Sequence, residues 1–238
     1  MLPPPLELPG AAMTKPITID FVSDVSCPWC VIGLKGLEEA LDRVGDLVAA
    51  DIRFQPFELN PHLPPEGQKL IDYVAQKYGS TPQQFRERRA AIRDRAANLG
   101  FTIALSPDDG RIYNTFEAHR LLHWAGLVGR QNELKLALFE AYFSNCLNPG
   151  DDGVLADAAE KAGLDRNAAA DVLASGRYAG EVRAAERFWQ SKGITAVPAI
   201  VINQRYMISG GQPADAFEDV IRKIADESPE LATAEPAA

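Results

Sequence analysis

Cys27-Pro28-Trp29-Cys30 places two thiols two residues apart, where a short apolar strand runs into a helix. A dithiol at the first turn of a helix can close into a small disulfide ring, and so can take up or release two electrons. The free N–H groups and positive dipole end of the helix favour a sulfur anion there. Such a setting lowers a thiol pKa from about 8.5 to roughly 3.5–7.5. Pro28 suits the first helical position, because its missing N–H would have no intrahelical partner. The chemistry this spacing points to is thiol–disulfide exchange. The competing chemistry is half of a zinc site, which needs two more ligands. His119 and His123, four apart on one helix, could supply them, but they stand far along the chain from the cysteines, outside finger spacing. No metal-ligand set is therefore assigned.

The rest of the chain must build a scaffold for that pair. Its 238 residues suffice for one large domain or a small domain carrying another. Apolar residues make up 46% and charged residues 24%, as in ordinary globular proteins. The net charge of −9 argues against nucleic acid and anionic membrane surfaces as partners. No apolar stretch approaches the roughly 18 residues of a membrane-spanning helix. Residues 1–15 lack the positive start and uninterrupted apolar core of a secretory signal, and Met13 is a possible second start. They read as a loose tail, and the expected setting is cytoplasmic. There, three cysteines do not suggest a structural disulfide framework.

Ile17, Ile19 and Phe21 alternate with Thr18 and Asp20 as in a strand. After the cysteines, Leu34, Leu37, Leu41 and Val44 recur at helical spacing, with Gly45 as a stop. Gly33 and Gly36 within that helix suggest close backbone packing. Val48, Ala50, Ile52 and Phe54 give a second strand, completing a parallel βαβ unit. Asn60 to Pro65 is a proline-rich linker. From 66 to 192 nearly everything reads as helix. Thr81-Pro82-Gln83-Gln84 carries a capping-box pattern, Asn114 to Glu117 resembles another cap, and further helices fit 131–147, 153–162, 166–174 and 178–192. Ala199–Asn203 and Arg205–Ser209 then form a hairpin, and Pro213 opens a last helix bearing Phe217, Val220, Ile221 and Ile224. The order predicts an α/β protein in which residues 16–63 and 193–226 form one domain. An all-helical insertion, 64–192, divides it between strands 2 and 3. Residues 227–238 read as a disordered tail.

Three segments are similar to the thioredoxin fold of the DsbA family, in the branch of FrnE-like proteins related to 2-hydroxychromene-2-carboxylate isomerases. They are Asp24 to Gly33, Asn114 to Leu121, and Gly193 to Ala199 continued by Ile208 to Pro213. The resemblance implies a βαβ…ββα core and a thiol–disulfide oxidoreductase or disulfide isomerase with no bound cofactor. Its redox group is the dithiol itself. It implies that Cys27 is the exposed nucleophile and Cys30 the resolving thiol. It further implies that Pro198 is cis opposite them, and that Val197 offers its backbone to an extended substrate. Pro28 and Trp29 join the substrate-binding set, and Trp29 fits the FrnE-like branch better than the Pro-His of periplasmic oxidases. From sequence alone Val197–Pro198 would be trans, as most X–Pro bonds are.

Partners expected on this reading are protein or small-molecule thiols and disulfides, with glutathione a possible co-substrate and a homodimer possible. A glutathione-dependent isomerase of an aromatic compound is the alternative enzyme, although a second cysteine adds nothing obvious to that chemistry. A zinc-stabilised binding or holdase module is the alternative of another class. Asn114 and His119 are candidates to line a cleft between the two parts. Cys146 shares a helical face with Leu138 and Tyr142 and reads as a small buried hydrophobe. Arg86, Arg88, Arg89, Arg93 and Arg95, interspersed with Glu87 and Asp94, read as a solvated helix face.

Overall fold

The computed structural model describes residues 14–227. The expected tails lie outside the described residues up to 13 and from 228; at their inner ends the structure corrects them, since Lys15 already belongs to the first strand and Glu227 still to the last helix. The chain runs β1 (Lys15–Ser23), α1 (Pro28–Arg43), β2 (Val48–Pro56), β3 (Gln68–Lys69), α2 (Leu70–Tyr78), α3 (Pro82–Asn98), β4 (Arg111–Ile112) and α4 (Phe116–Leu127). It continues with α5 (Gln131–Phe139), a π-helical turn (Glu140–Ser144), α6 (Asp152–Lys161), α7 (Arg166–Ala174), α8 (Ala179–Ser191), β5 (Ala199–Ile202), β6 (Tyr206–Ser209) and α9 (Ala214–Glu227).

The main sheet has the order β2-β1-β5-β6. β1 and β2 pair in parallel, and β5 runs antiparallel to both β1 and β6. Alternation along the strands builds two layers. Ile17, Ile19, Phe21, Ile200 and Ile202 pack with Leu34 and Leu37 of α1 and Phe217, Ile221 and Ile224 of α9. On the other face, Val22, Ala199 and Val201 meet Trp189 of α8 and Ile194. Asn203 and Gln204, both at positive φ, make the tight β5–β6 turn.

The glycines of α1 do mark close backbone approach. A Cβ on Gly36 would lie 2.7 Å from the Gln212 carbonyl oxygen, and one on Gly33 3.1 Å from Cγ of Pro198. Bare backbone thus lets α1 sit against the β6–α9 loop and the Pro198 turn.

The inserted segment follows β2 and returns before β5. Its helices α4 to α7 form a second core of Leu121, Leu122, Leu134, Leu138, Leu155 and Val172. Val25, two residues before Cys27, is buried in that core, so the helical block grips the turn that carries the dithiol. The Thr81 capping box is present, with side-chain and backbone bonds exchanged between Thr81 and Gln84. The insertion differs from an all-helical block in carrying the antiparallel ribbon β3–β4, in which Gln68 pairs with Ile112 and Lys69 with Arg111. Strands of two residues are too short to show a period.

Two other expectations are corrected. The helix from 131 does not run regularly to 147. It ends as an α-helix at Phe139, widens into the π turn, and leaves with Cys146 at φ +58°. The extra residue per turn rotates the register, so Cys146 leaves the Leu138–Tyr142 face and is exposed rather than buried. The arginines of α3 do not share one solvated face either. Arg89 is buried, and Arg95 turns toward Trp29.

Candidate active site

The sheet and α1 together place the dithiol at the C-terminal end of β1. Cys27 is the N-cap of α1, with φ −93° and ψ 113°, and Pro28 opens the helix. The Cys27 N–H donates to the Asp24 carbonyl at 3.2 Å, and the Cys30 N–H to the Cys27 carbonyl at 3.0 Å. Both thiols are free. The Cys27 Sγ–H donates to the carbonyl oxygen of Val197 at 3.6 Å. The Val197–Pro198 peptide bond is cis. Two sequence segments some 170 positions apart are thereby joined at one sulfur.

Cys30 is fully buried, while Cys27 is 4% exposed. This corrects the expectation of an exposed Cys27. The Val197 turn and the core around α1 cover the sulfur, and it is Trp29, 38% exposed, that faces solvent. The Arg95 guanidinium lies 5.4 Å from the centre of the Trp29 ring and donates to the Gly211 carbonyl at 2.9 Å. A Cβ on Gly211 would meet the Trp29 carbonyl oxygen at 2.9 Å. The first turn of α1, the β6–α9 loop and α3 thus converge around Trp29. A small cavity of about 170 Å³ borders Val197, Pro198, Met207 and Ser209.

Beneath the thiols lies a buried set of charges that sequence reasoning did not single out. Asp24 accepts the Ser26 N–H at 3.0 Å and the Leu59 N–H at 2.7 Å. Lys135 of α5 is fully buried. Burial raises the Cys30 thiol well above its usual range, reinforced by its hydrogen bond with Cys27 and opposed by Lys135. Burial pulls Lys135 down to about 8 against the attraction of Cys30, Asp24 and Cys27. Glu58, two residues past β2, is pushed up to about 7 by burial although Arg183 of α8 pairs with it. The signal that could have revealed Lys135 is a cation inside the largely apolar run Leu134 to Phe143, where Glu140 is the one other charge.

Of the two cleft candidates, His119 is buried among these groups and Asn114 is not. Asn114 accepts the Phe116 N–H and donates to the Pro61 carbonyl, so it joins α4 to the linker. The expected cap therefore stands one residue outside Thr115, whose own side chain makes no capping bond. Desolvation holds the His119 imidazole down to about 4, with Asp24 opposing and Lys135 reinforcing. Below its ordinary value of about 6.5 an unfolded histidine binds a proton that the folded one refuses. The native state therefore loses stability as pH falls from about 6.5 to about 4, by roughly 3 kcal/mol. His119→Gln is expected to lack that increment. Urea unfolding of both proteins across the window checks it, and equal acid sensitivity would sink the assignment.

A DSBA-like thioredoxin domain model matches residues 18–222, nearly the whole described chain. The chain belongs to the DsbA-like thioredoxin-domain family. That membership brings a class of chemistry, thiol–disulfide oxidoreduction or isomerisation. A probable DsbA oxidoreductase from Streptomyces coelicolor is 31% identical and superposes with a TM-score of 0.83, over 93% of this chain and 95% of that one. The uncharacterized protein YwbO of Bacillus subtilis is 28% identical over 206 residues, covering 86% of this chain and 96% of its own length. A 2-hydroxychromene-2-carboxylate isomerase shares the fold, with 15% identity and a TM-score of 0.67 over 91% of this chain and all of that one. Among the described residues of this DsbA-like protein, no helix is long and apolar enough to cross a membrane. Nor do three or more His, Cys, Asp or Glu side chains gather as a metal site among them.

Proposed function

We propose that this DsbA-like protein exchanges disulfides through Cys27 and Cys30 by way of a mixed disulfide. The observation that carries the reading is the seating of the pair. Cys27 caps α1 against the Val197 carbonyl, with Cys30 hidden behind it. A thiolate at Cys27 stands at the positive end of α1. It attacks a substrate disulfide, one substrate sulfur leaves as a thiolate, and the other stays bonded to Cys27. Cys30 then attacks Cys27, closes the internal disulfide and releases the second sulfur. Two electrons pass from the dithiol to the substrate, and the reverse sequence oxidises a substrate dithiol.

Pro28 and Trp29, which follow Cys27 in the first turn of α1, and Val197 and Pro198, whose turn meets the sulfur through the Val197 carbonyl, form the substrate contact in this reading. The cavity beside Val197 and Pro198 supports an extended chain lying there. Glutathione is the proposed small-thiol partner and the cytoplasm the proposed setting. A role for Cys30 separates this reading from a one-thiol isomerase.

A glutathione redox titration read by intact mass tests the proposal. The expected result is one reversible two-electron transition that vanishes in Cys27→Ser and in Cys30→Ser. A transition that persists in either variant, or none in the native chain, overturns it.

A further inference from the structure

The exchange reaction above makes no use of the sheet face that packs on α8, away from α1 and α9. There Asp20, Gln55 and Val201 of the sheet and Trp189 of α8 line a cavity of about 730 Å³. Two more of its wall residues are apolar yet open to water. Phe188, from α8, is 50% exposed and Met207, from β6, is 58% exposed. Bare apolar side chains that share one groove mark a surface fit to be covered, and a thioether adapts to partners of varied shape.

The same groove is rimmed by cations, although the chain as a whole carries a net charge of −9. Arg53, Lys192 and Arg205 stand against one carboxylate, Asp20, which is buried and accepts from Nε2 of Gln55 at 2.7 Å. Arg53 is held by Asp51, whereas among the described residues Lys192 and Arg205 rest on the rings of Phe188 and Tyr206 without an ion pair. Uncompensated cations beside exposed apolar side chains complement a segment that is both apolar and acidic.

The groove is continuous with the exchange site. Ile194 and Met207 line both it and the small cavity beside Val197 and Pro198. β6, which carries Met207, is the outer strand of the sheet, and an unpaired strand edge offers its backbone to an extended chain. Ser209 lies opposite Ala199, next to the Pro198 turn, and Met207 and Arg205 lie progressively farther along the chain from there. At about 3.3 Å per residue, a chain leaving Cys27 beside β6 meets the groove roughly two to six residues from its own cysteine.

We infer that this groove selects protein substrates for the dithiol. It takes an extended segment whose apolar side chain seats between Phe188 and Met207 and whose acidic side chains face Lys192 and Arg205. The inference rests on the exchange reaction proposed above and names its substrate class. Glutathione, with a single residue on either side of its cysteine, ends before the groove and escapes the selection.

Two synthetic peptides test this. Each holds its one cysteine as a mixed disulfide with a coloured aryl thiol. Each carries a leucine within the reach given above, flanked by glutamates in one peptide and by lysines in the other. Release of the aryl thiol by the reduced protein reads kcat/KM. The native chain is expected to prefer the acidic peptide roughly tenfold at low salt, with the preference fading as salt rises. Lys192→Glu combined with Arg205→Glu should reverse the preference. Phe188→Ser should slow both peptides by about fivefold. All three side chains are exposed, so the variants should fold, and glutathione exchange should keep its native rate in each. Equal rates for the two peptides in the native chain, an unchanged preference after charge reversal, or an equal loss with glutathione overturns the inference. A native dimer that the charge reversal splits in sedimentation assigns the groove to a second copy and overturns it too. Fluorescence anisotropy of the labelled acidic peptide, with serine for its cysteine, reads the groove without the exchange. Binding that charge reversal abolishes, with no aryl thiol released by the native chain, supports the groove and counts against the exchange reaction alone. Absence of both overturns both.

Discussion

Cys27→Ser is expected to lower disulfide turnover by on the order of 10³-fold or more, because a hydroxyl cannot replace the attacking thiolate. Cys30→Ser should behave differently. Cys27 still captures substrate, but nothing behind it can displace the adduct, so a stable mixed disulfide accumulates at the mass of protein plus one substrate thiol. The asymmetry follows from burial. Cys30 is sealed from solvent and can meet a substrate only through Cys27. Cys146 is exposed and free, so the measurement belongs in a Cys146→Ser background. Native-rate exchange in the Cys27 variant would refute the assignment, and rapid release in the Cys30 variant would show that resolution comes from elsewhere.

The largest loss of stability is expected at Arg120, a buried side chain of α4. Its Nε donates to the Arg177 carbonyl at 2.8 Å, Nη1 to the Leu173 carbonyl at 3.3 Å, and Nη2 to the Val172 carbonyl. It also pairs with Glu117. One guanidinium thus serves the carbonyls at the end of α7, which an α-helix leaves without intrahelical donors. It serves the turn toward α8 as well. Arg120→Met keeps the aliphatic stem but removes the donor to the Arg177 carbonyl, weakens the bonding of the Val172 and Leu173 carbonyls that Ser175 and Gly176 also serve, and leaves Glu117 without its partner. Breaking a buried charged network of this kind costs about 3–5 kcal/mol, a large part of a typical domain's stability of roughly 5–15 kcal/mol. Arg86→Met is the control. That arginine pairs with Asp108 in solvent, where water and salt screen the ion pair and leave it little net effect on stability. Denaturant unfolding of the two variants compares them directly, and similar losses would contradict the role given to Arg120.

Much of the architecture was legible locally. The strand alternation at Ile17 to Phe21, the helical spacing from Leu34 to Val44 and the Thr81–Gln84 exchange all arise between residues a few positions apart. Their periods and caps are therefore written directly in the order of residues. Gly33 and Gly36 announced close packing because helices rarely keep glycine without such a reason. What misled was also local. Cys146 fitted a helical face until the π turn changed the register, and Arg95 matched its charged neighbours although its tertiary partner is an indole ring.

From its residues alone, this chain declared a dithiol at a helix start, a divided βαβ…ββα scaffold and resemblance to a disulfide-exchanging family. Only the tertiary structure decided that the Cys27 sulfur is buried, that Trp29 rather than the sulfur meets solvent, and that Asp24, His119 and Lys135 gather near Cys30. The reason is range. Backbone preference and side-chain periodicity act over a turn or two, whereas desolvation and charge proximity depend on which distant elements the folded core brings together.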